Sequence, residues 1–232
     1  MIYAQGSSAV RIDNLLAAFD VQRGVRQGDS LSPLLFITTL QYALHGIDWK
    51  DYGIKINGSL ISYLAYADDI VLLSRSTAEA QLMVTALCKE TEKIGLKINV
   101  KKSKWMVQSR PPNPDKELLI HNEPIDLVSS FKYLGQTLAW PRNHTKEISQ
   151  RISAGWGVYA KYKDFLSSRR VPIEMKKKLV ELCVKPAILY GCETWSLTKS
   201  AWIRIRSAQR RMERRMLGLR LLDKVPSVDI RS

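Results

Sequence analysis

Two adjacent carboxylates, Asp68 and Asp69, stand between short apolar runs in the segment LISYLAYADDIVLL, residues 60–73. Holding two negative charges side by side is costly unless a cation neutralises them. Hard carboxylate oxygens suit Mg2+ or Mn2+, and such ions can clamp the attacking and leaving oxygens of phosphoryl transfer. Taken alone, the dipeptide is better explained as a solvated turn. The elements around it must therefore decide between these two interpretations.

The residues on either side of the carboxylates predict a hairpin with an acidic tip. Leu60–Ala65 and Ile70–Leu73 are too apolar for a solvated surface, so we expect both strands in the core and the tip at a cleft. A capping-box pattern, Ser76–Glu79, opens a helix that Gly95 ends. A strand is then predicted over 96–107.

The chain before this hairpin predicts a second hairpin and a helix. Residues 7–25 hold two short apolar runs around a turn at Asp13-Asn14. Ser32 and Pro33 fit an N-cap and a first helical position. The helix that follows is apolar on most of its surface, so it should be buried until it stops at Gly46.

The remainder of the chain changes from strands to helices. Prolines interrupt residues 109–115, and two strand-like runs follow, at 117–120 and 131–138. Three helical stretches are then predicted, the second of which contains Pro186 and should kink or split there; they cover residues 145–168, 172–191 and 198–218. This order predicts an α+β protein whose last part is all helical.

The charge is unevenly distributed and points to a polyanionic partner. The chain carries 36 basic and 22 acidic residues, a net charge of +14, and residues 142–220 alone hold 19 basic and 6 acidic groups. Such an excess suggests nucleic acid, although a solvated, solubilising surface is the plain alternative. Five arginines of the last helix could track phosphates or simply face water, while its apolar stripe packs inward: Arg204, Arg210, Arg211, Arg214 and Arg215. For Trp156, Trp195 and Trp202, core positions are favoured over base stacking.

Composition excludes several classes of protein. The longest apolar runs are too short to span a bilayer, so we expect no membrane partner. The first residues carry no basic start and apolar core, so no secretory signal is expected. Three cysteines without a CxxC pair disfavour disulfide and zinc scaffolds, and three histidines share no ligand spacing with them. We therefore expect an intracellular protein of the cytoplasm or nucleus, and assign these six residues no metal and no catalytic role.

Four motifs in a fixed order change the interpretation of the carboxylates. GVRQGDSLSPLLF at 24–36 precedes YADD at 66–69, and GLKINVKKSK at 95–104 and FKYLGQTL at 131–138 follow. Together they resemble motifs B, C, D and E of the reverse transcriptases of non-LTR (LINE-type) retrotransposons. The region 145–220, with YGCETW, resembles the helical thumb of that class. The resemblance implies a partial polymerase palm over 1–140, an antiparallel sheet with packed helices, followed by a basic thumb-like region over 141–232.

The resemblance also implies an activity and its participants. The reaction would be RNA-directed DNA polymerisation, template-directed nucleotidyl transfer with Mg2+ (or Mn2+). The partners would be an RNA template, a DNA primer and deoxynucleoside triphosphates. Asp68 would be a metal ligand, with Asp69 as a second acidic group beside it.

Further residues receive roles from the same motifs. Gln27 and Gly28 would line the pocket for the nucleotide and template base, where a glycine allows close approach to the backbone. Tyr66 would lie near the primer terminus or the incoming nucleotide. Lys102 could protonate or neutralise the pyrophosphate leaving group, or be a solvated lysine. The primer-grip turn would be formed by Leu134 and Gly135.

The chain departs from the family pattern before motif B. The family needs a third carboxylate from motif A, well upstream of motif B, yet only 23 residues precede Gly24. Asp20 lies too close to motif B to fit that position. The fingers, an upstream endonuclease and a downstream cysteine–histidine knuckle are not recognisable either. We therefore expect a truncated copy or an incomplete gene model with little or no activity alone. The alternatives are a catalytically dead nucleic-acid-binding remnant and a maturase-like RNA-binding protein.

Overall fold

The structure, a computed structural model, divides the chain into two compact units, Met1–Val128 and Ser129–Ser232. It describes residues 7–21, 24–108, 117–142, 144–195 and 197–226. The division falls earlier than the boundary expected after residue 140, because the hairpin at 130–139 belongs with the helices that follow it. No helix in the described ranges has the length and apolar character needed to cross a membrane.

The first unit combines two helices with short, separate pairs of strands. Antiparallel hairpins are formed by β1 with β2, β3 with β4, β5 with β6 and β8 with β9, whereas β7 and β10 pair in parallel. The elements are β1 (Ser7–Ile12), β2 (Leu15–Asp20), α1 (Ser32–His45), β3 (Ile54–Ile56), β4 (Ser59–Ile61), β5 (Tyr63–Tyr66), β6 (Asp69–Leu72), α2 (Thr77–Lys93), β7 (Lys104–Trp105), β8 (Leu119–Ile120), β9 (Glu123–Pro124) and β10 (Asp126–Leu127).

Helix α2 organises the core of the first unit. It contributes Leu87 to a cluster with Leu40 and Leu44 of α1, and Val84 and Cys88 to a second cluster with the residues around β8. The base of the β5–β6 hairpin packs against these clusters through Tyr63, Ile70 and Leu72. The core thus holds the base of the acidic hairpin and leaves its tip outside.

The burial predicted for α1 is wrong over most of its surface. Its buried residues are Ser32, Leu40, Ala43 and Leu44, whereas Leu34 is 61% and Tyr42 76% exposed. The cause is that the helix packs on α2 along a single face. Leu31 precedes it as the N-cap, so Ser32 is already helical, and its hydroxyl donates to the Arg26 carbonyl. The predicted stop at Gly46 is confirmed.

The strand predicted over 96–107 is also wrong, except near its C-terminal end. Only β7 is strand, and residues 100–102 form a turn instead. Asn99 stabilises that turn, because its side-chain oxygen accepts from the Lys102 N–H (3.1 Å) and its carbonyl from the Ser103 N–H (3.0 Å). Asparagine competes for backbone hydrogen bonds in this way and so interrupts an apolar pattern that favours a strand.

The second unit is a hairpin followed by helices, and with the first it confirms the α+β class. From His144 onward the described residues form helices and loops only. Strands β11 and β12 pair in an antiparallel hairpin. The elements are β11 (Ser130–Tyr133), β12 (Gln136–Ala139), α3 (His144–Lys161), α4 (Lys163–Ser167), α5 (Ile173–Leu179), a π-helix (Val180–Val184), α6 (Lys185–Leu189), two 3-10 helices (Cys192–Thr194 and Leu221–Asp223) and α7 (Lys199–Leu217).

The interruption predicted at Pro186 is confirmed. The π-helix immediately precedes α6, in which Pro186 is near the first position. Since proline has no N–H and its ring crowds the preceding turn, widening that turn accommodates it within a continuous helical path.

Helices α3, α4, α6 and α7 and the π-helix form the core of the second unit. The fully buried members include Ile148, Leu166, Val184 and Met212. Trp156 and Trp195 pack against this core, as predicted, but Trp202 is 55% exposed because it lies on the outer face of α7.

Candidate active site

The β5–β6 hairpin places the two aspartates at its exposed end. The strands pair from Tyr63 with Leu72 to Tyr66 with Asp69, and Ala67 and Asp68 form the turn between them. Ala67 adopts a left-handed backbone, with φ of +52°. The sequence placed the pair at the tip correctly, but the strands are not wholly buried: Tyr66 is 65% exposed, and both carboxylates face solvent.

The base of this hairpin is anchored by Ser62. Its buried hydroxyl donates to the Tyr52 carbonyl (2.6 Å), and its own carbonyl accepts from the Leu73 N–H (2.8 Å), which extends the ladder by one bond. The hairpin is therefore held firmly at one end, and the carboxylates lie at the other.

Glu79 is a buried ionised group that sequence reasoning assigned only to a helix cap. Half of the predicted capping box exists, since the Ser76 hydroxyl accepts from the Glu79 N–H (3.1 Å). The Glu79 carboxylate itself accepts from the Gly53 N–H (2.7 Å) and from the backbone and guanidinium of Arg75. Burial raises the pKa of Glu79, but the hydrogen bonds from Arg75 and Gly53 outweigh it and leave that pKa below its ordinary value.

The other predicted site residues of the first unit lie on exposed turns. Gln27 and Gly28 form one, where Gly28 has φ of +92° and an added Cβ would meet nothing within 4 Å. Lys102 lies in the turn after Asn99 and is exposed. Within the described residues, no hydrogen bond or ion pair joins these side chains to Asp68 or Asp69.

A third carboxylate does not join the pair in the described part of the chain. There, no group of three or more His, Cys, Asp and Glu side chains lies together as a metal site. Asp20 ends β2 on an exposed hairpin. The donor chemistry of Asp68 and Asp69 nevertheless fits Mg2+, which commonly takes one or two protein carboxylates and completes its shell with substrate phosphates and water.

The turn of the β11–β12 hairpin, in contrast, is held by hydrogen bonds from other side chains of the second unit. Leu134 and Gly135 form a two-residue turn with φ of +46° and +79°, as the resemblance led us to expect. The Tyr190 hydroxyl donates to the Leu134 carbonyl (3.0 Å), and the Arg151 guanidinium donates to the Gly135 carbonyl. No sequence motif indicated Arg151, and Tyr190 was noted only as part of YGCETW.

The arginines of α7 occupy different environments. Arg204 donates to the Ser149 hydroxyl (2.8 Å), Arg214 to the Val225 carbonyl (3.3 Å), and Arg215 lies over the Trp156 ring, 4.8 Å from its centroid. Arg210 is half-buried, whereas Arg211 is exposed. The buried face of the helix is apolar, as predicted, and consists of Ala201, Ile205, Ala208, Met212 and Met216.

Comparison with known proteins identifies the family. Residues 3–138 match the model of the family described as reverse transcriptase (RNA-dependent DNA polymerase), which is more than half of the chain. The chain belongs to this family. Reverse transcriptases as a family act on a nucleic-acid template with deoxynucleoside triphosphates and use divalent metal ions.

Individual relatives place the chain among retrotransposon proteins. It is 29% identical to a transposon-derived protein of Caenorhabditis elegans over 72% of this chain and 60% of that protein. It is 32% identical to the retrovirus-related Pol polyprotein of the type-2 retrotransposable element R2DM of Drosophila melanogaster, over 34% of this chain and 8% of that protein. A Pol polyprotein of a type-1 element R2 of Popillia japonica is 26% identical over 77% of this chain and 25% of its own length.

These relatives confirm the resemblance seen in the motifs. The chain is a reverse transcriptase domain of the non-LTR retrotransposon type. Its match spans less than two thirds of the length of each of these relatives.

Proposed function

We propose that this domain carries out RNA-directed DNA synthesis, with Asp68 and Asp69 as its metal-binding carboxylates. The observation that carries the proposal is the position of this pair, exposed at the tip of a hairpin whose base is buried. At such a tip both carboxylates stay in contact with water until a cation binds, so neither charge is buried without a partner. The family match supports the same assignment.

Mg2+, or Mn2+, is the cofactor that these side chains suit. Both carboxylates offer hard oxygen ligands, and the phosphates of a bound nucleotide would supply others. The bound ions would lower the barrier to phosphoryl transfer by stabilising charge on the attacking and leaving oxygens. The protein's part is to present both carboxylates at one fixed point, which the anchored base of the hairpin achieves.

The neighbouring residues take supporting roles in this proposal. Tyr66 shares a cross-strand pair with Asp69, so its exposed ring stands beside the carboxylates, where a primer terminus or nucleotide would lie. Gln27 and the open turn at Gly28 would contact the nucleotide and template base. Lys102 would neutralise the leaving pyrophosphate from its exposed turn.

The second unit would bind the template–primer duplex. Leu134 and Gly135 would form the primer grip, and the exposed arginines of α7 would contact phosphates without base specificity. Arg204 and Arg215 are already held by neighbouring side chains. Their charges are therefore pre-oriented, which lowers the entropy lost when a phosphate binds.

A second function is favoured by one specific observation. Within the described residues no third carboxylate joins the pair at the tip, while α7 has exposed arginines. A catalytically dead remnant that binds nucleic acid would have this pattern. A maturase-like protein would add preference for one structured RNA over a simple duplex.

Primer extension by the full chain separates these functions. With Mg2+, an RNA template and a DNA primer, any extension by the unmodified chain, even at the low rate that the sequence leads us to expect, should depend on Asp68. Asp68→Asn should reduce the rate at least about 100-fold, since misplacing a reacting group costs on this order. Asp13→Asn, at the exposed turn of the β1–β2 hairpin, is the matched control and should stay within about twofold of the unmodified rate.

Two outcomes would contradict the proposal. Extension that Asp68→Asn leaves unchanged would place the chemistry elsewhere. An inactive chain that still binds the duplex in a salt-sensitive manner would favour the binding remnant instead.

A further inference from the structure

The turn of the β11–β12 hairpin has both of its carbonyl groups bound by side chains from distant parts of the second unit. Tyr190, which lies outside the hairpin, donates a hydrogen bond from its hydroxyl to the Leu134 carbonyl, 56 positions away in the sequence. Arg151 of α3 donates to Gly135 across 16 positions. A two-residue turn usually leaves such carbonyls to water, so this arrangement is a specific property of the fold.

Arg151 is the centre of a larger network that contains a buried ion pair. It forms an ion pair with Glu147 (2.8 Å), and the two side chains are only 11% and 9% exposed. The other carboxylate oxygen of Glu147 accepts from the Thr137 N–H of β12 (3.1 Å). The Arg151 guanidinium also lies over the Tyr190 ring, 4.9 Å from its centroid. Helix α3, the hairpin and Tyr190 are thereby joined through one charged pair.

The segment that carries Tyr190 is attached to the hairpin a second time. The Gln136 amide donates to the Gly191 carbonyl (3.1 Å) and accepts from the Thr194 hydroxyl (2.9 Å). The approach is close enough that a Cβ at Gly135 would lie 2.9 Å from the Tyr190 ring. The turn is thus held on both of its sides and cannot swing independently of α3.

The hydrogen bonds to the turn carbonyls fix the direction in which the backbone N–H groups of the turn point. A trans peptide is planar, and its C=O and N–H point in opposite directions. Because the Leu134 carbonyl points at Tyr190, the Gly135 N–H, in the same peptide, points away from Tyr190. The network therefore selects one orientation in which a backbone donor, and not an acceptor, is available on the outer side of the turn.

We propose that Arg151 and Tyr190 are positioning residues for the primer. They hold the two turn carbonyls so that the Leu134–Gly135 turn presents its N–H side to the anionic primer strand. Neither residue is assigned contact with the primer itself. This inference rests on the proposed function, since it requires that the second unit binds a template–primer duplex.

The test follows the primer end separately from overall binding. The probe is an RNA template annealed to a DNA primer that carries 2-aminopurine at its 3′ end. A second duplex carries the same fluorophore about ten base pairs upstream. Fluorescence anisotropy of an end-labelled template measures total affinity, and thermal unfolding of each variant monitors folding.

Tyr190→Phe is the decisive variant because it removes only the hydroxyl. The ring remains over Gly135 and under Arg151, so we expect an unfolding midpoint within about 4 °C of the unmodified chain. Total affinity should change less than about twofold, while the fluorescence response at the primer end falls at least about threefold and the upstream response is unchanged. Tyr162→Phe, whose ring also lies beside a cation (Lys161, 5.6 Å), is the control and should change neither response.

Arg151 variants test the same geometry from the other side. Arg151→Gln should lose the primer-end response more completely, and Arg151→Lys should restore part of it, because lysine retains the charge beside Glu147 but not the planar fork. Equal losses at both fluorophore positions would indicate a merely structural role.

The outcomes separate this inference from the proposed function. If the unmodified chain binds the duplex and Tyr190→Phe leaves the primer-end response intact, the positioning role is refuted and the proposed function stands. A bound duplex without any primer-end response would also refute it. An unmodified chain that binds no duplex would overturn both.

Discussion

The two turns to which we assign functions have the same local geometry but are held in opposite ways. The β5–β6 and β11–β12 hairpins each pair two four-residue strands across a two-residue turn. The first has an exposed tip carrying Asp68, and only its base is anchored. The second has both turn carbonyls bound by Tyr190 and Arg151.

The roles proposed for the two turns would account for this difference. Two carboxylates at a tip repel each other, so burying them in a protein network would cost more than leaving them in water until a cation arrives. A turn that offers neutral backbone donors has no such penalty. It gains from being fixed in advance, because less conformational entropy is then lost on binding.

The largest loss of stability is expected when a side chain is added at Gly135, beside the Tyr190 ring. Gly135→Ala adds a Cβ that meets the Tyr190 ring at 2.9 Å on a backbone with φ of +79°. Strain and overpacking together should lower the free energy of unfolding of the second unit by about 2–5 kcal/mol. Urea unfolding, with hydrogen exchange of the β11–β12 amides, measures the loss.

Gly28→Ala provides the contrast from the first unit. Its φ is +92°, but nothing lies within 4 Å of the added Cβ. Only the backbone penalty remains, about 1–2 kcal/mol. Equal losses at Gly135 and Gly28 would show that the Tyr190 contact contributes nothing to holding the turn.

An intermediate effect is expected from the buried carboxylate of the first unit. Glu79→Gln removes a charged acceptor from Gly53 and Arg75, which should cost roughly 1–3 kcal/mol near neutral pH. The pKa of Glu79 is lower in the folded chain than its ordinary value of 4.5. Its contribution is therefore complete above that ordinary value and is lost as the pH falls through the lower, folded pKa.

The difference between the unmodified chain and Glu79→Gln should accordingly shrink as the pH falls below that ordinary value. Urea unfolding between pH 7 and about pH 2.5 tests this, with Trp49 and Trp105 as reporters in the first unit. Glu181→Gln is the control. The hydrogen bond from Lys185 lowers the pKa of Glu181, but this pair is exposed and should contribute little. A difference that persists unchanged at the lowest pH would contradict the role of the Glu79 carboxylate.

The smallest effect is expected at the acidic tip. Ala67 has φ of +52°, which glycine adopts without a Cβ penalty, so Ala67→Gly should relieve strain while adding flexibility to the unfolded chain. The two terms nearly cancel, and we expect a change in unfolding free energy below about 1 kcal/mol. A loss of several kcal/mol would mean that the tip is held as firmly as the Leu134–Gly135 turn.

Local patterns predicted most of the elements and the positions of the turns. The apolar runs around Asp68, the serine cap of α2 and the glycine after α1 each depend on neighbours a few residues away. Two of the wrong predictions, the strand over 96–107 and the burial of α1, have a local and a tertiary cause respectively. The Asn99 side chain accepts a hydrogen bond from the Lys102 N–H, which a strand would have used in its ladder. Helix α1 is buried along a single face, where it packs against α2.

The candidate site residues likewise divide into those expected from the sequence and those that depend on tertiary packing. Neighbouring residue types placed Asp68 and Asp69 at a hairpin tip, whereas the turn at Leu134 and Gly135 was expected only from the family resemblance. The sequence could not indicate that Arg151 would bind the Gly135 carbonyl. That contact depends on how α3 packs against the hairpin. The sequence also cannot distinguish a buried Glu–Arg pair one helical turn apart, such as Glu147 and Arg151, from an exposed pair with the same spacing.

The sequence by itself determined the chemistry of this protein: its family motifs, its paired carboxylates, its basic helices and its left-handed turns. These follow from residue types and short spacings, which set local conformation and charge whatever the rest of the chain does. Only the tertiary structure decided which turn is free and which is held. That outcome depends on side chains from positions such as Arg151 and Tyr190, which meet the turn only after the helices have packed.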